Sequence, residues 1–104
     1  MITQQKWKEF SLEEQMANIG SEVVRAINLK EKDDKKLSEG SAWRVLEMVD
    51  STLSDKRWRG KLKEVFFLRD VFCDYFFNYG NFDVSGANLK DYFLPFALLG
   101  ARKQ

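Results

Sequence analysis

Residues 65–79 read VFFLRDVFCDYFFNY, and seven of these side chains are aromatic. On a helix of about 3.6 residues per turn, Leu62, Val65, Phe66, Phe72, Cys73 and Phe76 fall along one line, which also carries Arg69. A guanidinium among phenylalanines is costly unless a carboxylate and further acceptors answer it. Glu22, Asp50 and Glu39 border the inner faces of the two preceding helices, so any of them could reach it. The expectation is a buried polar network of Arg69 with Glu22, Asp50 and Glu39 that fixes how the helices pack. The functional alternative is an anion or phosphate site at the same place.

The aromatic run belongs to a predicted helix over residues 56–78, with Asp55 as its cap and Gly80 at its stop. Upstream, Ser11-Leu12-Glu13-Glu14 is a capping-box sequence that starts a first helix over residues 11–30. There Leu12, Met16, Ile19, Val23, Ala26 and Lys30 step by four and three, and Ile27 broadens the stripe. Trp7 and Phe10 precede the cap and are expected to cover an end of the fold. The charge run LKEKDDKK at 29–36 reads as a solvated turn, with Asp33 and Asp34 available as caps. A second helix carries Ala42, Val45, Leu46, Val49 and Leu53 on one face and ends near Ser54 and Asp55, leaving Trp43 partly exposed.

Downstream, residues 81–86 lack a helical period and read as a loop with Phe82 tucked inward. A shorter fourth helix over 86–99 turns Leu89, Tyr92, Phe93, Phe96 and Leu99 inward, and Pro95 kinks or restarts it. The predicted fold is all-α: a single domain over residues 1–104, built as an antiparallel four-helix bundle with a short, Pro-kinked fourth helix.

Composition narrows the function classes. One proline and six glycines in 104 residues argue against a turn-rich β fold, and 44% apolar residues argue against disorder. Seventeen cations against sixteen acids give no global attraction to nucleic acid or anionic lipid, so such binding needs a local patch. The absence of histidine removes the commonest catalytic base and zinc ligand. Cys73 is the lone cysteine, so no internal disulfide forms, and it reads as a small core residue. No apolar run approaches the roughly 18 residues of a membrane span, and the N-terminal residues lack a signal-peptide core, so the expected location is cytoplasmic.

Three surfaces carry chemistry. Phe67, Leu68, Val71, Tyr75 and Tyr79 give the aromatic helix a second apolar side. Either that helix is central or this side meets another subunit, and the favoured reading is a homodimer with Phe67, Val71, Tyr75 and Tyr79 in contact. Lys56, Arg57, Trp58, Arg59, Lys61 and Lys63 crowd five cations and an indole into eight residues. They read either as a solvated turn with Trp58 covering the fold's end or as a nucleic-acid contact. Asp70 with Asp74, and Glu47 with Asp50, are carboxylate pairs spaced to share a helix face, as magnesium sites require.

The Glu47–Asp50 pair resembles the acidic pairs of all-helical MazG-type nucleotide pyrophosphohydrolases, but the first helix lacks the matching acidic cluster. Metal-dependent hydrolysis is therefore the least favoured reading, and no metal or cofactor is expected. Over most of the chain the string resembles a set of small, uncharacterised prokaryotic helical proteins. The resemblance rests on residues 11–15 and 17–23, Leu46-Glu47 with Asp50, Leu68-Arg69, Asp74-Tyr75-Phe76 and Tyr92-Phe93. It implies no established activity. The architecture is also similar to HEPN-type helical domains, whose ribonuclease motif needs a histidine that this chain lacks. The expected function is non-enzymatic: self-association and contact with a protein partner of unknown identity. Nucleic-acid binding through residues 56–63 is the alternative.

Overall fold

The computed structural model describes residues 3–103, with side chains at all of these except 97 and 99–103. The expected inward Leu99 lies outside the described side chains. The helices are α1 (Gln4–Trp7), α2 (Leu12–Glu31), α3 (Lys35–Leu53), α4 (Leu62–Phe77) and α5 (Gly86–Lys103), with a 3₁₀ turn at Lys56–Trp58 between α3 and α4. All regular structure among the described residues is helical, and none of these helices is long and apolar enough to cross a membrane. A radius of gyration of 13.2 Å is that of a compact chain of about 100 residues.

Local chemistry sets the boundaries. The amide of Glu14 donates to Ser11 Oγ at 3.2 Å and the amide of Ser11 donates to Glu14 Oε1 at 3.0 Å, so the capping box that starts α2 is closed in both directions. Asp34 caps α3 by accepting from the Leu37 amide, while Asp33 takes a left-handed conformation at φ 59° in the turn. The charge run is shorter as a turn than expected, because α2 continues through Glu31.

α4 begins later than expected. Asp55 caps the 3₁₀ turn instead of an α-helix, and residues 59–61 form a further turn that includes Gly60. Glycine disfavours helix, and cations at a helix start oppose its dipole. The helix stops at Asn78, left-handed at φ 60°, two residues before Gly80. α5 runs on through Pro95 to Lys103, so it is neither short nor restarted there.

α2 is the central element, lying against both α3 and α5. Gly20 permits the second approach: a β-carbon there would lie 3.0 Å from Phe93 Cβ. The expected stripes of α2 and α3 supply the core through Ile19, Val23, Ile27, Val45 and Val49, with Leu89 and Phe93 from α5. α4 is turned relative to its expected inner line. Val65, Phe72 and Phe76 are buried as expected, but Phe66 is 54% exposed, and Leu68 and Val71 are buried instead. The reason is α5 and the loop before it, whose Val84, Leu89 and Tyr92 meet Leu68 and Val71 around one hollow. Part of the second apolar side is thus covered by the chain itself. α1 has no counterpart among the predicted helices, and its Trp7 is buried at the end of α3.

Candidate functional site

Arg69 lies beside Asp50, with Nε donating to Oδ1 at 2.9 Å, so the sequence places a cation next to one of its three expected acids. The pair is not buried: the side chains are 35% and 55% exposed. Asp50 sits at the outer margin of α3, where water already solvates it. The hydrogen bond holds the Arg69 guanidinium above its ordinary pKa, opposed by partial desolvation. Glu22 pairs instead with Arg44 at 3.3 Å, and Glu39 is exposed on the first turns of α3. The expected buried four-residue network is therefore corrected to a half-exposed ion pair plus a separate one on α2 and α3.

The buried polar network is elsewhere. Trp7 Nε1 donates to Thr52 Oγ1 at 2.9 Å, and the Thr52 hydroxyl donates to Gln15 Oε1 at 2.9 Å. Gln15 Nε2 returns to the carbonyl of Trp7 at 2.9 Å, closing a ring of contacts among three segments. Gln15 and Thr52 are 0% exposed. A second polar device is the half-buried Lys30, whose Nζ donates to the carbonyls of Tyr75 and Phe76 at 2.7 and 2.9 Å and to Asn78 Oδ1 at 2.9 Å. It satisfies the open carbonyls at the end of α4, and its ammonium lies 4.5 Å from the Tyr75 ring centre. Burial pushes its pKa down, while the three acceptors favour the charged form. The available signal was a lysine in line with an apolar stripe.

The carboxylate pairs separate. Asp74 is buried and accepts from the amides of Asn81 and Phe82 at 2.7 and 3.0 Å, so both oxygens anchor the loop after α4, while Asp70 is exposed. Glu47 is exposed and Asp50 is held by Arg69. No group of three or more potential metal-ligating side chains occurs among the described residues.

Of the expected contact residues, Phe67 and Tyr79 are 56% and 64% exposed, Val71 is buried, and Tyr75 is half-buried with its hydroxyl against Gly86. Phe82 is not tucked inward. It meets Phe67 edge to face at 5.7 Å, and the two rings wall a hollow of about 360 Å³ with Leu68, Val71, Val84 and Leu89. Tyr92 bridges to Glu64 beside that hollow, and burial first, then this carboxylate, pushes the phenol pKa up. Cys73 is half-buried, and burial pushes its thiol up.

Within the basic segment, Arg57 is committed. Its Nε donates to Asp55 Oδ2 at 3.0 Å, its Nη2 donates to the same oxygen at 2.6 Å and to the Phe10 carbonyl at 3.2 Å, and the guanidinium lies 4.6 Å from the Trp58 ring centre. The Arg57 hydrogen bond holds the Asp55 carboxyl below its usual range against the effect of burial. Trp58 is half-buried, and Lys56, Arg59, Lys61 and Lys63 are exposed. No protein family, curated protein or solved structure matches the chain.

Proposed function

We propose that the protein is non-enzymatic and acts by self-association, as a homodimer, and by contact with a protein partner. The carrying observation is the Phe67–Phe82 pair, two aromatic rings packed together at the surface around a nearly all-apolar hollow. Exposed apolar clusters of this kind mark contact surfaces. Tyr79, stacked on Phe77 at 5.9 Å, extends the aromatic surface beyond α4. Val71 lines the floor of that hollow, while Tyr75 lies apart from it, against Lys30 and Gly86.

In this proposal the long helices form an antiparallel four-helix bundle. Gln15 meets Thr52 and Glu22 meets Arg44, while Gly20 meets Phe93 and Ile27 meets Gly86, so positions along α2 rise as those on α3 and α5 fall. Pro95 removes one amide donor from α5 and kinks it. A cytoplasmic location and kinship with the small prokaryotic helical proteins belong to the same proposal. The lack of histidine supports a non-enzymatic role, as does the use of Asp74 and Asp50 in structural contacts.

The test is Phe67→Glu, a change at an exposed position that leaves the core intact. Light scattering should give twice the chain mass for the wild type and the single-chain mass for the variant. A wild-type monomer, or an unchanged dimer in the folded variant, sinks the homodimer.

A further inference from the structure

The two connections that flank α3 balance their charge differently. Around the α2–α3 turn, Lys30, Lys32, Lys35 and Lys36 alternate with Glu31, Asp33 and Asp34. From the connection between α3 and α4 into the first turn of α4, residues 56–63 carry five cations and no acid, and the adjoining Asp55 is buried and already answered by Arg57. No ion pair joins Lys56, Arg59, Lys61 or Lys63 to a carboxylate among the described residues.

Folding adds a cation from far along the chain. Gln4 donates to the Ser51 carbonyl at 3.1 Å, Trp7 donates to Thr52, and Arg57 donates to the Phe10 carbonyl, so the N-terminal segment is tied to the end of α3 from both sides of residue 8. Lys8 thereby comes close enough to Asp55 to help keep that carboxyl ionised. Glu13 and Glu64, which share a hollow with Lys61, bound the cationic surface on the α2 and α5 side.

We propose that this end of the molecule, built from Lys8 together with Lys56, Arg59 and Lys63, binds the phosphate backbone of nucleic acid without reading sequence. Several cations held on one rigid end suit a polyanion, whose condensed counterions are released on binding. Lys8, Lys56 and Arg59 lie on short turns and Lys63 only at the start of α4, so no helix face is presented to a groove and base readout is not part of the site. An anionic bilayer fits less well: Trp58 is half-buried with Arg57 over its ring, and is not free to insert at an interface.

Fluorescence anisotropy with labelled single-stranded RNA and duplex DNA of roughly 20 nucleotides, at about 50 mM salt, tests the proposal. Binding should appear with both and weaken linearly in log–log form as salt rises. Lys56→Glu with Arg59→Glu and Lys63→Glu should weaken it by at least about tenfold, and Lys8→Glu alone should weaken it and reduce the salt slope by about 1. Lys35→Glu with Lys36→Glu, at the other end of α3, should leave it unchanged. Circular dichroism confirms that each variant is folded. Failure of the wild type to bind, insensitivity to Lys8→Glu, or equal loss on changing Lys35 and Lys36 overturns the proposal. So does tighter binding to phosphatidylserine vesicles or to polyglutamate than to either nucleic acid. The light-scattering result on Phe67→Glu bears on a different surface and neither supports nor removes this one.

Discussion

The Trp7–Thr52–Gln15 ring and the Arg69–Asp50 pair each join distant segments through hydrogen bonds of 2.9 Å, yet their surroundings are opposite. The first is sealed, with Gln15 and Thr52 at 0% exposure, and the second has a carboxylate that is 55% exposed. Contact length does not rank them. In the sealed ring, removing one member leaves the others dry and unpaired, and that desolvation cost exceeds the net worth of the hydrogen bond itself. At the exposed pair, each charge returns to water when its partner goes.

The sharpest break of that comparison is Gln15→Leu. It leaves the Trp7 carbonyl with only the Phe10 amide as donor and deprives the buried Thr52 hydroxyl of its acceptor, with water excluded from both. Unfolding in urea should show a loss of at least about 2 kcal/mol, and faster hydrogen exchange in the α1 segment. A loss under about 1 kcal/mol would mean that the ring is satisfied by water and is not sealed.

Why the sequence pointed to Arg69 and passed over Gln15 follows from what periodicity can see. A stripe of apolar residues at helical spacing identifies which face is inward, and it placed the cores of α2 and α3 correctly through Ile19, Val23, Val45 and Val49. It also marked Ser11 and Glu14, because a capping box is local. Gln15 is a polar residue one turn before Ile19, and its burial depends on Trp7 folding over it, a contact between an irregular N-terminal segment and the end of α3. Nothing within either segment encodes that meeting. The aromatic helix failed in a related way. It is apolar almost all round, so its period did not fix its rotation, and α5 decided that Leu68 and Val71 go inward while Phe66 stays out. At the surface, Phe67 and Tyr79 were legible as exposed apolar residues, but the Phe67–Phe82 pairing depended on Asp74 anchoring the loop.

Asp55 lies between the two extremes, a buried carboxylate whose partner Arg57 remains 44% exposed. Its folded pKa is lowered below the unfolded value of about 3.9. A depressed carboxyl contributes stability above the unfolded pKa, and that contribution is lost as pH falls from there through the folded value. Thermal unfolding should therefore show an acid-limb decline below about pH 4 that is shallower in Asp55→Asn. Parallel curves for the two proteins would show that the Arg57 contact does not distinguish the folded from the unfolded carboxyl. The effect should be smaller than that of Gln15→Leu, because the exposed guanidinium is screened by water.

The smallest expected change is Arg69→Met. The aliphatic stem of arginine packs beside the core while its head reaches Asp50, and methionine keeps much of that apolar length without the charge. Asp50 is left alone but hydrated, so the cost of an unpaired charge is slight. Urea unfolding should move by less than about 1 kcal/mol in either direction, and Asp50→Asn should behave alike. A loss above about 3 kcal/mol would be the signature of a buried ion pair robbed of one partner, and would place Arg69 back in the interior network that its helical line suggests. A double-mutant cycle separates the two cases: coupling between Arg69→Met and Asp50→Asn should be within about 1 kcal/mol, because what each side chain gains from the other it can also gain from solvent.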